Sequence, residues 1–344
     1  MPRPARNTLA EAMPAPSVPQ VCLYEDRPRQ VPGLKILLLT LRRFCPSWPV
    51  RLRFPGIPDS FRAWLRGFPQ VELGEERLPA SGSYNVKPSV LLDGLSAGAE
   101  SCLWLDTDVL VNGSLDFVAA VAPETMVVSQ DPWEYGDGST HRCETMGLTA
   151  GRSLPGPINS ALVRVTRRHE EFLRAWLGLV STEVYLAEQA KPVERRNPHM
   201  LGDQDVLSAL LASREFAAIP LRRLLHGREM LQHHGAGAYR PGLRWSNLVH
   251  GMPPLIHAMG TVKPWAMPER PWLWRSPRDY YERAYLELSP YVHFARRYRA
   301  ELEEEAEWLE IRTLAGRFWT LTGANHPAIK GGTQAALHRI LSRR

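Results

Sequence analysis

The stretch Ser101-Cys102-Leu103-Trp104-Leu105-Asp106-Thr107-Asp108-Val109-Leu110-Val111 decides the fold. Its first half is apolar at successive positions, as in a strand buried on both faces. Its middle places two carboxylates on either side of one threonine. Read as a single strand from Ser101 to Val111, it puts Asp106 and Asp108 on one face, where their oxygens reach a common point. A strand of this kind belongs to a parallel sheet covered by helices, and such sheets bind ligands at the carboxyl ends of their strands. Carboxylate oxygens in that position suit a hard divalent cation, Mn²⁺ or Mg²⁺, that bridges to phosphate. The triplet Asp-x-Asp alone is also common in solvated turns, so the apolar run before it carries the weight.

Upstream, short apolar runs alternate with helical patterns. Strands are expected at Val21 to Tyr24, Val50 to Phe54 and Val71 to Leu73. Helices are expected over Leu34 to Phe44, Phe61 to Arg66 and Val86 to Leu95, with Pro88 tolerated in the first turn of the last. Alternation of this kind predicts an α/β fold with a mostly parallel sheet. Downstream, Val127 to Gln130, Ala161 to Val165 and Leu255 to His257 read as strands, and His169 to Val180 and Asp203 to Ala212 as helices. Trp133 to Gly147 and Tyr185 to Leu201 read as long loops of the kind that form lids or acceptor sites. After Pro268 the composition changes: Trp272, Trp274, Tyr280, Tyr281, Tyr285 and Tyr291 are interleaved with Arg and Pro. A charged helix, Glu301 to Glu310, and a basic one, Ala335 to Arg344, follow. The organisation expected is a flexible leader over 1–20, one catalytic domain over 21–267, and an aromatic, basic and largely helical extension over 268–344.

The chain's 344 residues can bury a substantial core without disulfides. Its formal charge of +6 suits a phosphate-rich ligand or an anionic surface without identifying either. The four cysteines, Cys22, Cys45, Cys102 and Cys143, form no Cys-x-x-Cys pair and read as reduced thiols. Residues 1–20 lack the apolar core of a signal peptide, and the run Leu34 to Leu41 is too short to span a bilayer. The expectation is a cytoplasmic protein. Its Arg, Ala, Pro and Trp usage suggests a bacterial gene of high GC content. No nucleic-acid recognition motif accompanies the charge, so no nucleic-acid partner is expected.

Four further elements bear on chemistry. In Leu255-Ile256-His257-Ala258-Met259-Gly260-Thr261-Val262-Lys263-Pro264-Trp265, a His stands three residues before a Gly and six before a Lys. An imidazole can add a metal ligand, a glycine lets backbone approach a pyrophosphate, and a lysine neutralises phosphate charge. Gly202-Asp203-Gln204-Asp205 opens an apolar helix, where either acid also serves the helix N-terminus. Pro157-Ile158-Asn159-Ser160-Ala161 leads a polar pair into a strand, and Lys87-Pro88 opens a helix.

Taken in order, these elements resemble glycosyltransferase family 8, the retaining GT-A enzymes that include glycogenin and bacterial lipooligosaccharide galactosyltransferases. The resemblance spans about residues 21 to 267, and His-x-x-Gly-x-x-Lys-Pro-Trp is its most specific motif. It implies a GT-A fold, a Rossmann-like nucleotide-sugar-binding domain. It implies a hexosyltransferase that uses a nucleotide diphosphate sugar, UDP-sugar by the family's habit. Asp106, Asp108 and His257 look like ligands of Mn²⁺ (or Mg²⁺). Lys263 and the Gly260 backbone look like diphosphate contacts, and Lys87 resembles the basic residue near the donor sugar and phosphate. Asn159 resembles a sugar-hydroxyl contact. Asp203 and Gln204 resemble the residues at the anomeric carbon. Tyr24 is placed like the residue that stacks on the nucleotide base. Two departures stand out. Ala161 replaces the family's usual Gly, and the first strand ends in Tyr24-Glu25-Asp26.

The acceptor is open: a glycan, a lipid-linked glycan, a protein or a small molecule. Peripheral membrane contact through the tail is a further possibility, against which the tail's aromatic residues pack on the catalytic domain. Two other functions compete. A nucleotidyltransferase that makes nucleotide sugars also needs a metal on carboxylates, but no Gly-rich loop follows the first strand. A non-catalytic nucleotide-sugar binder is the other.

Overall fold

The computed structural model describes residues 18–82, 84–132, 139–232, 239–260, 262–266, 283–322 and 325–341. Expectations for the leader before residue 18 and for Trp272, Trp274, Tyr280 and Tyr281 lie outside them.

The α/β alternation holds. Strand β1 (Gln20–Tyr24) is followed by α1 (Val31–Phe44), β2 (Val50–Arg53), α2 (Asp59–Leu65), β3 (Val71–Gly74), α3 (Lys87–Ser96) and β4 (Ser101–Leu105). With β6 (Met126–Gln130), β7 (Ile158–Thr166) and β8 (Leu221–Leu224) they form a seven-stranded sheet in the order β3-β2-β1-β4-β7-β6-β8. Every pairing is parallel except those of β7, which runs against both β4 and β6.

Each strand divides its side chains between two cores, as the two-residue period requires. Val21, Leu23, Leu103 and Leu105 enter one, packed beneath α1. Cys22, Tyr24, Cys102 and Trp104 enter the other, under α3, α6 (Glu170–Val180) and α8 (Asp203–Ala212). All four cysteines are buried and free.

The expected single strand over Ser101 to Val111 is two strands. The chain turns at Asp106-Thr107-Asp108, closed by the Val109 N–H on the Asp106 carbonyl at 3.0 Å. It resumes as β5 (Val109–Val111) in a second, three-stranded sheet, β5-β10-β9, with β9 spanning Met230–Gln232 and β10 spanning Leu255–His257. Asp106 and Asp108 therefore do not share a strand face. They flank the turn by which the chain leaves one sheet for the other. Helix α1 lies between the sheets, and Thr40 on it accepts the Val111 N–H at 3.2 Å while donating to the Ile36 carbonyl at 2.8 Å.

Three other expectations need correction. Tyr185 to Leu201 is not one loop: α7 (Glu183–Gln189) and a 3₁₀ turn, Val193–Arg195, occupy much of it. Arg196 ties the segment together through Gln189 and the Leu201 carbonyl. Within Trp133 to Gly147, α5 (Ser139–Thr145) is helical, and 133–138 lie outside the described residues. Glu301 to Glu310 is not an α-helix. The chain leaves helix at Glu303, with φ at +50°, and continues as 3₁₀ over Glu303–Leu309. Regular helix would stack Glu301 on Glu305 and Glu303 on Glu307, like charges four residues apart. Elsewhere in the C-terminal stretch, Tyr291 is fully buried and meets Trp265 and Trp308 at ring distances of 5.8 and 6.4 Å. Among the described residues no helix is long and apolar enough to cross a membrane.

Candidate active site

The turn at the end of β4 positions the two aspartates from opposite sides. The Asp106 N–H donates to the Ala161 carbonyl at 2.9 Å, holding it against β7. The Asp108 carbonyl accepts the Ala258 N–H at 3.0 Å, holding it against the residue after β10. Between them, Thr107 donates its hydroxyl to Glu25 at 2.7 Å. Glu25 is almost wholly buried and also accepts from Arg27 and from the N–H groups of Asp26 and Arg27. The end of β1 is thus a clamp on the turn.

Asp106, Asp108 and His257 each offer a ligand atom, and these atoms all lie within 4.8 Å of one another. The His257 Nε2 is 3.2 Å from Asp108 Oδ1 and 3.9 Å from Asp106 Oδ2. Its other nitrogen, Nδ1, lies 2.7 Å from the Gln232 carboxamide oxygen. That amide cannot be reversed, because its nitrogen donates to the Gln130 carbonyl at 2.8 Å. Gln232 therefore assigns a proton to Nδ1 and turns the Nε2 position toward the carboxylates. A nitrogen lone pair facing a carboxylate oxygen needs a proton or a cation between them. The donor set, two carboxylates and one imidazole, thus fits a divalent ion such as Mn²⁺ or Mg²⁺.

Two lysines complete the electrostatics. Lys263 pairs closely with Asp108 and donates to the Ala258 carbonyl at 3.0 Å. Burial alone raises the Asp108 pKa, but Lys263 and His257 outweigh it and hold the carboxyl well below the usual carboxylate range. Lys87, at the first turn of α3, is 3% exposed. Its ammonium lies 3.2 Å from both Asp106 and Asp203 and donates to the Ser160 hydroxyl at 2.6 Å. Burial works against its charge, yet the two carboxylates raise its pKa above the ordinary value. For Asp203 burial wins: its pKa is raised despite Lys87 and Ser160.

The three members of Asp203-Gln204-Asp205 do different work. Asp205 is structural: it receives Arg142 of α5 at 2.8 Å and the N–H groups of Leu201 and Gly202, tying the start of α8 to its neighbours. Gln204 donates to Asp131 at 3.2 Å and accepts from Asn159 at 3.2 Å. Asn159 in turn accepts the Ala161 N–H at 2.9 Å. Gly260 has φ of +124°, a backbone that favours glycine. Trp265 donates to Gln30 at 3.2 Å and lies over Gly33, where a Cβ would come within 2.4 Å of its ring.

Of the residues singled out in the sequence, Lys87, Asp106, Asp108, Asp203, His257 and Lys263 form one connected cluster, in which Lys87 joins Asp203 to Asp106 and His257 joins Asp106 to Asp108 and its partner Lys263. Asn159 and Gln204 are linked beside it. Tyr24 is 5% exposed and packed in the second core, its hydroxyl 3.4 Å from Asp26. Sequence reasoning missed Gln232, Asp131 and Glu25. Gln232 closes β9, outside every motif. Asp131 follows a strand without a pattern of its own. Glu25 was visible only as a departure in the first strand.

No protein-family model matches this chain, and no curated protein matches it. Among solved structures, it is similar to the galactosyltransferase LgtC in complex with donor and acceptor sugar analogs, at 17% identity and a TM-score of 0.46, covering 72% of this chain and 89% of that one. It is similar to the glycosyltransferase GlyE of Streptococcus pneumoniae TIGR4 in its apo form, at 14% identity and 0.45, covering 90% and 65%. It is also similar to the bifunctional glycosyltransferase WbbM, at 12% identity and 0.46, where it covers 72% of itself and spans 47% of that protein. All three of those proteins are glycosyltransferases.

Proposed function

We infer that this chain transfers a hexose from a nucleotide diphosphate sugar, most simply a UDP-sugar, to a glycan, lipid-linked or small-molecule acceptor, with retention at the anomeric carbon. The observation that carries the reading is the convergence of Asp106, Asp108 and His257 with two lysines at the carboxyl end of β4. Asp106, Asp108 and the His257 Nε2 would hold the divalent ion, which when bound supplies charge neutralisation for a diphosphate leaving group.

The chain's own residues do the rest. Lys263, now paired with Asp108, carries a mobile ammonium that can turn to a phosphate oxygen once Asp108 is otherwise engaged. Gly260 lets the backbone beside it approach the same diphosphate. Lys87 stays charged under burial and places a fixed cation beside Asp106, where negative charge grows on the leaving group. Gln204 is a neutral amide, clamped between Asp131 and Asn159, and suits contact with sugar hydroxyls better than attack. Asp203 is occupied by Lys87 and Ser160. Both features favour attack by the acceptor on the face the leaving group departs from, with a phosphate oxygen taking the acceptor's proton. A sugar trapped covalently on Asp203 would overturn that route. In this reading residues 21–267 are the catalytic body, 268–344 are its extension, and the protein works in the cytoplasm.

The test is calorimetric titration of UDP and other nucleoside diphosphates, with and without Mn²⁺, into the full chain and Asp108→Ala. Metal-dependent binding is expected in the wild type. Its loss in the variant should exceed the roughly 10- to 100-fold typical of an outer-shell change. No metal-dependent binding of any nucleoside diphosphate would remove the donor site and return the non-catalytic reading. Pyrophosphate release from a sugar-1-phosphate and a nucleoside triphosphate would favour the nucleotidyltransferase.

A further inference from the structure

Asp106 and Asp108 each turn one oxygen toward His257 and give the other to a second partner. For Asp108, Oδ1 lies 3.2 Å from the His257 Nε2, and Oδ2 is the atom that pairs with Lys263. For Asp106, Oδ2 lies 3.9 Å from the same nitrogen, and Oδ1 lies 3.2 Å from the Lys87 ammonium. Asp106 has a further hold. The Trp104 indole N–H donates to that same Oδ1 at 2.8 Å. An indole has a single N–H, and here the carboxylate takes it.

The strand explains the contact. Residues two apart on a strand project from one face, and Trp104 stands two before Asp106. The Asp106 N–H, bonded to the Ala161 carbonyl, carries the pairing of β4 with β7 one residue past the strand's end, so Asp106 still follows the alternation. Packing then fixes the indole. Trp104 is 3% exposed, lies in the core under α3, and stands opposite Val163 on β7. The Lys87 ammonium lies 5.8 Å from the centre of its ring. The two donors to Oδ1 therefore act differently. A lysine ammonium is a point charge with rotatable donors and can follow a carboxylate that turns. An indole N–H locked in a core points one way, and the carboxylate must stay in register with it.

We propose that Trp104 is a positioning residue for the divalent ion: its N–H holds back Asp106 Oδ1, so that Asp106 offers the ion Oδ2 alone. The proposal rests on the reading of Asp106, Asp108 and His257 as metal ligands. One oxygen from a carboxylate, rather than two, leaves more of a six-coordinate shell open to diphosphate oxygens. The test uses the full chain and Mn²⁺ alone. Trp104→Phe keeps a ring beside Lys87 and removes the N–H. Its Mn²⁺ affinity by calorimetry should fall by about 10- to 100-fold. The electron paramagnetic resonance spectrum of Mn²⁺ bound with protein in excess should also change, because Asp106 is free to turn both oxygens to the ion. Val163→Ala loosens the same packing from the opposite strand and leaves the N–H in place. It should melt earlier yet keep the wild-type affinity and spectrum. Should Trp104→Phe fail to fold, 3-benzothienylalanine at position 104 replaces the N–H by sulfur at nearly the same size, and the same changes are expected. A wild-type affinity or spectrum without the N–H would overturn the proposal. So would an equal fall in Val163→Ala, which would assign the effect to packing. In both cases the wild type still binds Mn²⁺ and the metal reading stands. A wild type that binds no Mn²⁺ would remove that reading, and this proposal with it.

Discussion

Two lysines in this protein are buried almost completely, and their surroundings drive them in opposite directions. Lys87 is 3% exposed, lies between Asp106 and Asp203, and has its pKa raised. Lys330 is 1% exposed, donates to the neutral Asn325 at 3.1 Å, and has its pKa lowered to about 8. Burial lowers Lys330 first and Arg296 adds to it, while Glu287 opposes them weakly. Burial acts on both lysines in the same sense; the neighbours decide the outcome. In the candidate active site the fold gathers carboxylates around a cation that must keep its charge. In the C-terminal stretch it tolerates a lysine for its packing and lets its charge weaken. This difference marks a built site more clearly than burial does.

The sharpest way to break the comparison is Lys87→Met. If Lys87 is held by its carboxylates, removing it leaves Asp106 and Asp203 without their cation in a buried setting. The expected loss is about 3–5 kcal/mol of stability, the range for breaking a buried pair from one side. Lowering the pH should recover part of that loss, as Asp203, with its already raised pKa, takes up a proton. A chemical denaturation midpoint equal to that of the wild type would show that the pair contributes little. A smaller effect is expected one contact further out. Gln232→Leu removes the acceptor that places a proton on the His257 Nδ1 and leaves Asp106 and Asp108 untouched. Mn²⁺ affinity without donor, measured by calorimetry, should fall by about 10- to 100-fold, and the buried Gln130 carbonyl and His257 N–H left without their partner should cost about 1–3 kcal/mol of stability. Equal affinity would reduce Gln232 to a packing residue.

How far this contrast was legible in the sequence differs between its two sides. The carboxylates, Lys87, His257 and Lys263 were readable because each sits at an element boundary marked by its own local pattern, and because their order resembles a known family. The geometry that unites them was not. The sequence reads Ser101 to Val111 as one strand, since nothing in Leu105 or Val109 signals that the two belong to different sheets. That break depends on Ala161 and Ala258, which are remote in the chain and supply the hydrogen bonds that hold each aspartate. Gln232 was invisible for the same reason: its role exists only because β9 runs beside β10 and sets it next to His257. In the C-terminal stretch, Glu301 to Glu310 reads as a charged helix, and the chain instead leaves helix at Glu303.

The last test isolates Lys330, and its effect is the smallest. A lysine whose folded pKa lies below its unfolded value of about 10.4 binds fewer protons when folded, across the window between them. Stability therefore rises with pH from about 8 toward about 10.4, because the cost of burying the charge disappears as the folded lysine loses its proton. Below about pH 8 the cost is present in full. Lys330→Met carries no such charge, so it should be more stable than the wild type at pH 7, by on the order of 1–2 kcal/mol after loss of the Asn325 contact. The two should converge as the pH climbs through the window. Other groups titrate there too, so the quantity to follow is the difference between wild type and variant in urea midpoints at each pH. Lys87 contributes nothing to that slope, since its raised pKa keeps it charged throughout the window. A difference that stays constant with pH would show that Lys330 keeps its charge as firmly as Lys87, and the contrast between the two regions would then rest on geometry alone.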